Sequence, residues 1–436
     1  MPSINNRSLK VEVVAQGLAF PSSMAFLGPD DILVLEKNTG MVKRIVNGTM
    51  LPEPLLDVNV AHQAERGMLG IAVSPKHQND DNNNTRRYVF LYYTEASTKD
   101  GDDITEGRIP LGNRIYRYEL ADNNTKLINP TLLLDLPAIP SAAHNGGAIT
   151  IGPDDNIYLP IGNVNDQEIH SFQTRAQNIE NARDPNGTAG ILRITQNGRP
   201  VNNDGNNSIL GNQFPINLYY AYGIRNSFGI DFDPVTKKLW DTENGPNFGD
   251  EINLVEPGFN SGWISVQGIW NPAGGNAGNI TLDPDNLVDF NGTGKYSSPE
   301  FTWKKTVGVT AIKFLNSDKL GKQYKNDMFV GDFHNGYLYH FDLNKNRTGL
   351  VLNGSLADRI ADSPEEFVNS SIIFGKGFGG ITGIEVGPYD GYLYILTLYR
   401  GGNDCTPENT NIDCLAYSSS APPGTIFKIK EVQNIH

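Results

Sequence analysis

The feature that most constrains the fold is a short phrase that recurs along the chain. Each copy typically begins with a Gly-Pro or Asp-Pro turn accompanied by Asp or Asn. A short apolar strand follows, then a few polar residues, and often a glycine before a second strand. The strand segments are rich in Tyr, Ile, Leu and Val and are bounded by turn residues, which is typical of β structure. Six copies occur, with strands at 32–35, 88–93, 157–159, 238–240, 328–330 and 392–396.

The repeats predict the architecture. Six such units at irregular spacing predict an all-β fold, a six-bladed β-propeller with long insertions between its strands. Radial closure explains how so many short strands avoid exposed edges. A pair of large β-sandwiches is the competing fold, but it does not require six similar phrases. Helix signals are few, with one short candidate at 174–182, and no linker interrupts the repeats, so we expect a single domain over residues 1–436.

Charge and hydropathy limit the partners. The chain has 49 acidic and 35 basic side chains, and its formal net charge is −14. Such an acidic chain repels phosphate, which disfavours nucleic acids and anionic membranes as partners. No apolar run reaches the roughly 18 residues of a membrane span. The first residues also lack an apolar stretch, so we expect no signal peptide or anchor in this chain.

The cysteines and the N-x-S/T triplets give information on the cellular compartment of the protein. Cys405 and Cys414 suit either a small local disulfide or two free thiols, and they lack the partners for a zinc site. Eleven N-x-S/T triplets favour an extracellular, periplasmic or cell-surface location, although an Asn-rich chain also produces such triplets by chance. The triplets begin at Asn6, Asn47, Asn83, Asn123, Asn186, Asn206, Asn279, Asn291, Asn346, Asn353 and Asn369.

Two segments combine polar side chains with glycines just before predicted strands. His144 is followed by Asn-Gly-Gly, where glycines permit close backbone approach and the imidazole suits proton transfer near neutral pH. Arg225 and Asn226 present a planar fork and an amide, which suit a ligand that carries carboxylates. The alternatives are a histidine that caps a turn and an arginine paired with a structural acid.

Residues 242–253 form the densest polar segment, Thr-Glu-Asn-Gly-Pro-Asn-Phe-Gly-Asp-Glu-Ile-Asn. Carboxylate, amide and main-chain oxygens in a loop shaped by Gly and Pro suit a hard cation such as Ca²⁺, although the spacing is not that of an EF-hand. A solvated acidic turn is the alternative. The chain has no G-x-S-x-G elbow, H-E-x-x-H zinc helix, Walker loop or Rossmann G-x-G-x-x-G after a strand.

The order of four motifs resembles the glucose/sorbosone dehydrogenase family, from about Leu18 to Lys430. The motifs are Glu-Arg-Gly-Met-Leu-Gly-Ile-Ala from Glu65, His-Asn-Gly-Gly from His144, Tyr-Gly-Ile-Arg-Asn from 222, and Glu-Asn-Gly-Pro with Gly-Asp-Glu-Ile-Asn-Leu from 243. The resemblance implies a six-bladed quinoprotein with pyrroloquinoline quinone (PQQ) and Ca²⁺ as cofactors. It further implies oxidation of the anomeric hydroxyl of an aldose sugar to a lactone, with electrons passed to an external acceptor.

The resemblance also implies roles for single residues. His144 matches the general base, and Glu65, Arg225 and Asn226 match positions beside the cofactor. Ca²⁺ would polarise the quinone as a Lewis acid. The calcium positions are matched by the main-chain carbonyls of Gly245 and Pro246, and a structural calcium position is matched by Glu251.

Three positions depart from the family pattern. His334 and Thr382 stand at cofactor-binding positions where the family often has basic residues, and Asn163 stands where an Asp often lies near the base. Each missing charged partner of PQQ removes roughly 1.5–3 kcal/mol of hydrogen bonding. Two other functions are therefore kept open: a non-enzymatic propeller that binds glycans or partners, and a Ca²⁺-dependent lactonase-type hydrolase.

Overall fold

The structure is a computed structural model that describes residues 1–75, 77–78, 85–97, 109–164, 173–201, 208–273, 276–284, 286–398 and 424–432. Cys405 and Cys414 and the sequons at Asn83 and Asn206 lie outside these residues. The regular secondary structure of the described residues is almost entirely β-strand, which confirms the prediction of an all-β propeller. Its α-helix is Pro364–Val368, and short 3-10 segments lie at Arg175–Gln177, Ile216–Leu218, Lys322–Tyr324 and Gly354–Asp358. Only Arg175–Gln177 of the helix candidate at 174–182 is helical.

Three antiparallel sheets form the first half of the chain. Sheet 1 consists of Pro21–Gly28, Asp31–Glu36, Met41–Val46 and Thr49–Met50, with Leu56–Asp57 beside its third strand. Sheet 2 consists of Met68–Val73, Tyr88–Glu95, Gly112–Leu120 and Leu127–Leu136. Sheet 3 consists of Thr150–Ile151, Ile157–Ile161, Gly190–Ile194 and Tyr219–Tyr222, followed by the parallel strands Phe259–Asn260 and Lys295–Tyr296.

Three more sheets form the second half. Sheet 4 consists of Ser227–Phe232, Leu239–Glu243, Asp250–Val255 and Phe301–Trp303, with Ile360–Ala361 parallel to the last. Sheet 5 consists of Val309–Phe314, Met328–Asp332, Tyr337–Phe341, Ile373–Lys376 and Ser3–Ile4. Sheet 6 consists of Ile381–Val386, Leu393–Thr397, Gly424–Glu431 and Leu9–Leu18. Two small hairpins pair His77–Gln78 with Thr85–Arg86 and Trp270–Ala273 with Asn276–Ile280.

The sheets pack around a ring. A hydrophobic cluster joins each sheet to the next, and each cluster takes side chains from both neighbours. Pairs of residues that share a cluster, from sheets 1 and 2 round to sheets 6 and 1, are Leu33 and Val89, Phe90 and Leu159, Ile191 and Leu239, Trp240 and Val330, Phe329 and Leu393, and Leu396 and Met24. Because the last sheet packs on the first, the ring is closed, and burial of these apolar faces stabilises it.

Two further contacts close the ring. The N-terminal strand Leu9–Leu18 pairs antiparallel with Gly424–Glu431, so that the start of the chain completes the last sheet. At the first strands of sheets 4, 5 and 6, Lys313 Nζ lies 3.3 Å from Asp231 Oδ1 and 3.0 Å from Glu385 Oε2. This lysine therefore neutralises carboxylates from both neighbouring sheets. Among the described residues, no helix has the length and apolar character needed to cross a membrane.

Candidate functional site

The topology explains why distant motifs meet. Glu65, His144 and Arg225 each come shortly before the first strand of sheet 2, 3 or 4. The first two strands of each sheet are antiparallel, so the start of the first lies beside the end of the second. Asn163 follows the second strand of sheet 3 and therefore returns to the same end. We call the group of Glu65, His144, Asn163, Arg225 and Asn226 the mouth.

His144 is held in one orientation. Its backbone is left-handed, with φ of 61°, and a Cβ on the nearby Gly146 would lie 2.3 Å from the carbonyl oxygen of Pro160. The chain can therefore make this tight approach only with glycine at that position. His144 Nδ1 lies 2.6 Å from Asn163 Oδ1. Since the amide oxygen only accepts, Nδ1 carries the proton and Nε2 is left as the basic nitrogen.

Glu65 holds two other residues of the mouth. Its Oε2 accepts the backbone N–H of His144 at 2.5 Å, and the Asn226 amide donates to its two oxygens at 3.2 and 3.3 Å. Burial raises the pKa of Glu65, while the His144 N–H and the charge of Arg225 act in the opposite direction. The carboxylate therefore fixes the His144 backbone and the Asn226 side chain.

Arg225 is buried against main-chain oxygens. Its backbone N–H donates to Glu243 Oε1 at 2.6 Å, and its Nη1 donates to the carbonyls of Asn244 and Gly245 at 2.9 and 3.0 Å. Its guanidinium carbon lies 5.4 Å from the ring centroid of Trp263, a cation–π contact. Burial lowers the pKa of Arg225 to about 10, although Glu65 and other nearby acids oppose this shift.

The Gly245–Pro246 turn is shaped by Asp250. Asp250 Oδ1 accepts the Gly245 N–H at 2.9 Å, and its Oδ2 accepts the N–H groups of Val307 and Gly308 at 2.7 Å each. A Cβ on Gly245 would lie 1.8 Å from the carbonyl oxygen of Phe248, so the turn requires glycine. The turn thus presents the Gly245 carbonyl to the Arg225 guanidinium. A calcium ion at this carbonyl would meet that like charge, so the described arrangement does not fit Ca²⁺ while Arg225 keeps this position.

Three buried carboxylates line one face of sheet 4. Glu243 pairs across the strands with Glu251, and Asp241 pairs with Asn253. Glu251 accepts hydrogen bonds from Gln267 Nε2 at 2.8 Å, Gly268 N at 2.5 Å and Asn253 Nδ2 at 3.0 Å. The Ser261 hydroxyl, which has one proton to donate, lies 2.7 Å from Glu243 Oε2 and 3.2 Å from Glu251 Oε2. Donors therefore surround the residue whose position matches a structural calcium ligand, and they do not fit a calcium ion there.

Asp241 is less well compensated than Glu243, which accepts the Arg225 backbone N–H at 2.6 Å and the Ser261 hydroxyl at 2.7 Å. Neither oxygen of Asp241 has a hydrogen-bond donor of ordinary geometry among the described residues. Burial raises the pKa of Asp241 to about 7, although Asn253 and Ser227 oppose the shift. Burial and the charge of Asp241 raise the pKa of Glu243 to about 8. The sequence analysis did not single out Asp241, yet polar residues at every second position of a buried strand were the available signal.

His334 and Thr382 differ in their relation to the mouth. The His334 ring packs over Gly308, where a Cβ would lie 3.1 Å from His334 Nε2, and it is close enough to lower the pKa of Asp250, which burial raises. Thr382 Oγ1 donates to the carbonyl of Pro21 at 3.0 Å. The structure thus connects His334 to the Gly245 turn through Asp250, whereas the described hydrogen bond of Thr382 leads to sheet 1.

Lys37 is a basic group near the mouth that the sequence analysis missed. It directly follows the strand Asp31–Glu36, and its Nζ donates to the carbonyl of His62 at 3.1 Å and to Asn38 Oδ1 at 3.0 Å. Burial lowers the pKa of Lys37 to about 8, and the charge of Glu65 opposes this shift. The sequence feature that could have revealed this residue is a lysine directly after a buried strand.

Several buried polar atoms around the mouth lack partners. Among the described residues, no hydrogen bond is made by Arg225 Nε, Asn226 Oδ1, Asn244 Oδ1 or Trp263 Nε1. Buried polar groups are normally paired, so a set of unpaired atoms in one place is typical of a site for a polar ligand. Two donors and two acceptors fit a ligand such as PQQ, which carries carboxylates and carbonyls.

Comparisons with known proteins identify the family of this chain. The sequence model of the glucose/sorbosone dehydrogenase family matches residues 18–403. The chain is 26% identical over 393 residues to aldose sugar dehydrogenase YliI of Escherichia coli, which covers 89% of this chain and 90% of that protein. It is 29% identical over 281 residues to quinoprotein glucose dehydrogenase B of Acinetobacter calcoaceticus, covering 60% of this chain and 54% of that one. The PQQ-bound aldose sugar dehydrogenase of Streptomyces coelicolor has the same fold, with a TM-score of 0.62, 22% identity, and coverage of 99% of this chain and all of that one. The chain therefore belongs to the glucose/sorbosone dehydrogenase family.

Proposed function

We propose that this protein is a PQQ-dependent oxidoreductase that oxidises the anomeric hydroxyl of aldose sugars to lactones. The observation that supports it most is the His144–Asn163 pair, which in the neutral imidazole leaves Nε2 as an oriented basic nitrogen in a buried polar mouth. The family supports the reaction class. Relatives named aldose sugar dehydrogenase and quinoprotein glucose dehydrogenase support the substrate class and the cofactor.

The chain's own residues supply proton transfer and orientation. His144 Nε2 would take the proton of the anomeric hydroxyl while the Nδ1–H stays bonded to Asn163 Oδ1 at 2.6 Å. Because Asn163 is neutral, it orients the ring without stabilising the imidazolium as a carboxylate would. Glu65 keeps the ring in place by accepting the His144 backbone N–H at 2.5 Å.

The polar atoms of the mouth would hold the cofactor. Arg225 and Asn226 are the proposed contacts to PQQ, since Arg225 Nε and Asn226 Oδ1 are buried without a hydrogen-bond partner among the described residues. When bound, PQQ supplies an acceptor for the hydride that leaves the sugar carbon. His334 and Thr382 are the further proposed contacts to PQQ. His334 would offer a ring nitrogen in place of the fixed charge of a basic residue, and the Thr382 hydroxyl would have to leave the Pro21 carbonyl, to which it donates at 3.0 Å.

The calcium ion and the electron acceptor take no part in the steps derived for the chain's own residues. The Gly245 and Pro246 carbonyls are the proposed calcium positions, but Arg225 already donates to Gly245 O at 3.0 Å. Binding of Ca²⁺ would require that guanidinium to move, so we derive no step through the ion. The electron acceptor is proposed to be external to this chain.

The architecture and location belong to the same proposal. We propose that sheets 1 to 6 are the six blades of one propeller, which is supported by the closed ring of shared hydrophobic clusters. We also propose an extracellular, periplasmic or cell-surface location. The described sequons at Asn123 and Asn369, among others, support it.

A cofactor titration tests the function. Chelator-treated protein is titrated with PQQ with and without Ca²⁺, and dye reduction is then followed with a panel of aldoses. We expect saturable binding and sugar-dependent reduction. The variant His144→Ala should lose turnover and keep PQQ binding, while Arg225→Lys should weaken binding because the planar fork is lost.

Failure to bind PQQ, or unchanged turnover in His144→Ala, would contradict a different part of the proposal. If folded protein does not bind PQQ at tens of micromolar, the quinoprotein function is wrong. The non-enzymatic propeller then becomes the better explanation, because the absence of a basic group at Thr382 would prevent binding. If His144→Ala keeps full turnover, the assignment of the base is wrong even though the activity stands.

A further inference from the structure

A second group of metal-ligating side chains lies on sheet 5, away from the mouth. Asp327 comes immediately before the strand Met328–Asp332, and His340 and Asp342 lie at the end of the antiparallel strand Tyr337–Phe341 and just after it. The residues near the mouth, such as His334, follow the opposite end of the first of these strands. Five residues at about 3.4 Å each place the group roughly 17 Å from that end.

The ligand atoms of this group converge. His340 Nε2 lies 3.0 Å from Asp327 Oδ2 and 3.5 Å from Asp342 Oδ1, and one ligand atom from each residue lies within 4.8 Å of the other two. Ligands held about 2.1 Å from a Zn²⁺ ion are separated by about 3.4 Å in tetrahedral geometry and about 3.0 Å in octahedral geometry. The two separations measured from Nε2 thus match those of a metal site.

The imidazole is held in place by aromatic rings. The His340 ring centroid lies 5.2 Å from that of Phe329, 5.1 Å from Tyr324 and 6.1 Å from Phe374. Packing on three sides fixes the ring, so Nε2 points at the two carboxylates rather than into solvent. A ring fixed in this way loses little conformational freedom on binding an ion.

The charge of the group is not balanced by other side chains. Nε2 carries at most one proton, so it can donate to one of the two carboxylates at a time. In the part of the chain that the structure describes, neither Asp327 nor Asp342 forms an ion pair with a lysine or arginine. A divalent cation would satisfy both carboxylates and the nitrogen at once.

We propose that Asp327, His340 and Asp342 bind one divalent transition-metal ion such as Zn²⁺, with water completing its coordination. One imidazole and two carboxylates suit Zn²⁺, which accepts both nitrogen and oxygen ligands. The Asp342 side chain is 59% exposed, which gives the ion a path from solvent. This site does not depend on the function proposed for the mouth.

Zinc titration of the full chain tests the proposal. Chelator-treated protein is titrated calorimetrically with Zn²⁺ in a buffer with excess Ca²⁺, which occupies sites that prefer hard cations. We expect one equivalent to bind. Asp342→Asn should weaken this binding at least about tenfold, and the exposure of the side chain makes loss of the fold unexpected. Asp318→Asn, an exposed aspartate in the loop before Asp327, is the matched control and should leave binding unchanged.

Cobalt identifies the nitrogen ligand. Co²⁺ in place of Zn²⁺ should give a visible absorption band that changes in His340→Gln, if that variant keeps its fold. The proposal is overturned if wild-type protein shows no saturable Zn²⁺ binding, or if Asp342→Asn and the control bind Zn²⁺ as tightly as wild type does. In either case the group is a histidine hydrogen-bonded to aspartate and nothing more.

Discussion

Replacement of Asp241 by Asn should stabilise the protein, in a manner that depends on pH. Asp241 is fully buried on the face of sheet 4, and its two oxygens lack hydrogen-bond donors of ordinary geometry among the described residues. Glu243 and Glu251 on the same face carry the same charge. A buried carboxylate without compensation costs free energy whenever it is ionised, and an amide of the same shape does not ionise.

The magnitude follows from the shift in pKa. Burial raises the pKa of Asp241 from 3.8 to about 7. About three units at 1.36 kcal/mol each give an upper limit of about 4 kcal/mol. Because the folded pKa is raised, the folded protein binds the proton more tightly, and its stability is lost as pH rises from about 4 to about 7. The Asn amide must also find an acceptor, which costs ~1–3 kcal/mol if it fails, so we expect a net gain of about 1–3 kcal/mol at pH 8.

Urea unfolding at two pH values measures this effect. At pH 8 the variant Asp241→Asn should have the higher free energy of unfolding, and at pH 4.5 this advantage should disappear. Asp318→Asn, an exposed change of the same chemistry, should shift stability by less than about 0.5 kcal/mol at both values. If Asp241→Asn is instead destabilised more at pH 8 than at pH 4.5, the ionised carboxylate is needed by the fold. It would then be paired with a cation, and the reasoning from unpaired burial would be refuted.

Three other substitutions follow from the contacts. Lys37→Met should stabilise the protein at pH 7, and the gain should fade between pH 8 and 10.5, because the folded pKa of Lys37 lies near 8 and unfolding favours its charged form. Asn163→Leu should lower kcat roughly 10- to 100-fold, since the Nδ1–H of His144 loses its acceptor and the ring its fixed orientation. Lys313→Met should cost about 1–3 kcal/mol in urea unfolding at pH 7, because the buried Asp231 and the partly exposed Glu385 lose their shared cation.

Each of these has an outcome that contradicts it. A stability difference between wild type and Lys37→Met that stays constant from pH 7 to 10.5 would show that the lysine does not titrate in this window. An unchanged kcat in Asn163→Leu would mean that the amide does not orient the base. If Lys313→Met unfolds like wild type at pH 7, water reaches Asp231 and Glu385 and screens their charges.

The sequence predicted the all-β propeller because the fold is built from local signals. Turn residues bound each strand, and each strand is long enough to show its apolar character, as in 88–93 paired with Gly112–Leu120. Hydrogen bonding of adjacent strands then follows from short connections. The pairing of Leu9–Leu18 with Gly424–Glu431 had no such signal, because it joins the two ends of the chain and depends on closure of the ring.

The site was predictable only where one residue's role depends on its own chemistry. His144 and Arg225 were found from side-chain type and neighbouring glycines, and the structure places both in the mouth. Asp241 and Lys37 were missed, since their importance arises from burial and from partners on other strands. Burial raises the pKa of Asp241 and lowers that of Lys37, and no single-residue pattern reveals such environments.

The contacts of Arg225 bear on the binding of both the cofactor and the metal. Its guanidinium donates to the carbonyls of Asn244 and Gly245, the second of which is a proposed calcium position, while its Nε stays without a partner in the described structure. A carboxylate of the cofactor would attract the guanidinium away from these carbonyls, and the freed oxygens could then accept a cation. Binding of PQQ and of Ca²⁺ would then be linked, and each would raise the apparent affinity of the other by the same factor. A protein that binds Ca²⁺ at Gly245 equally well with and without PQQ would show that Arg225 does not compete for this carbonyl.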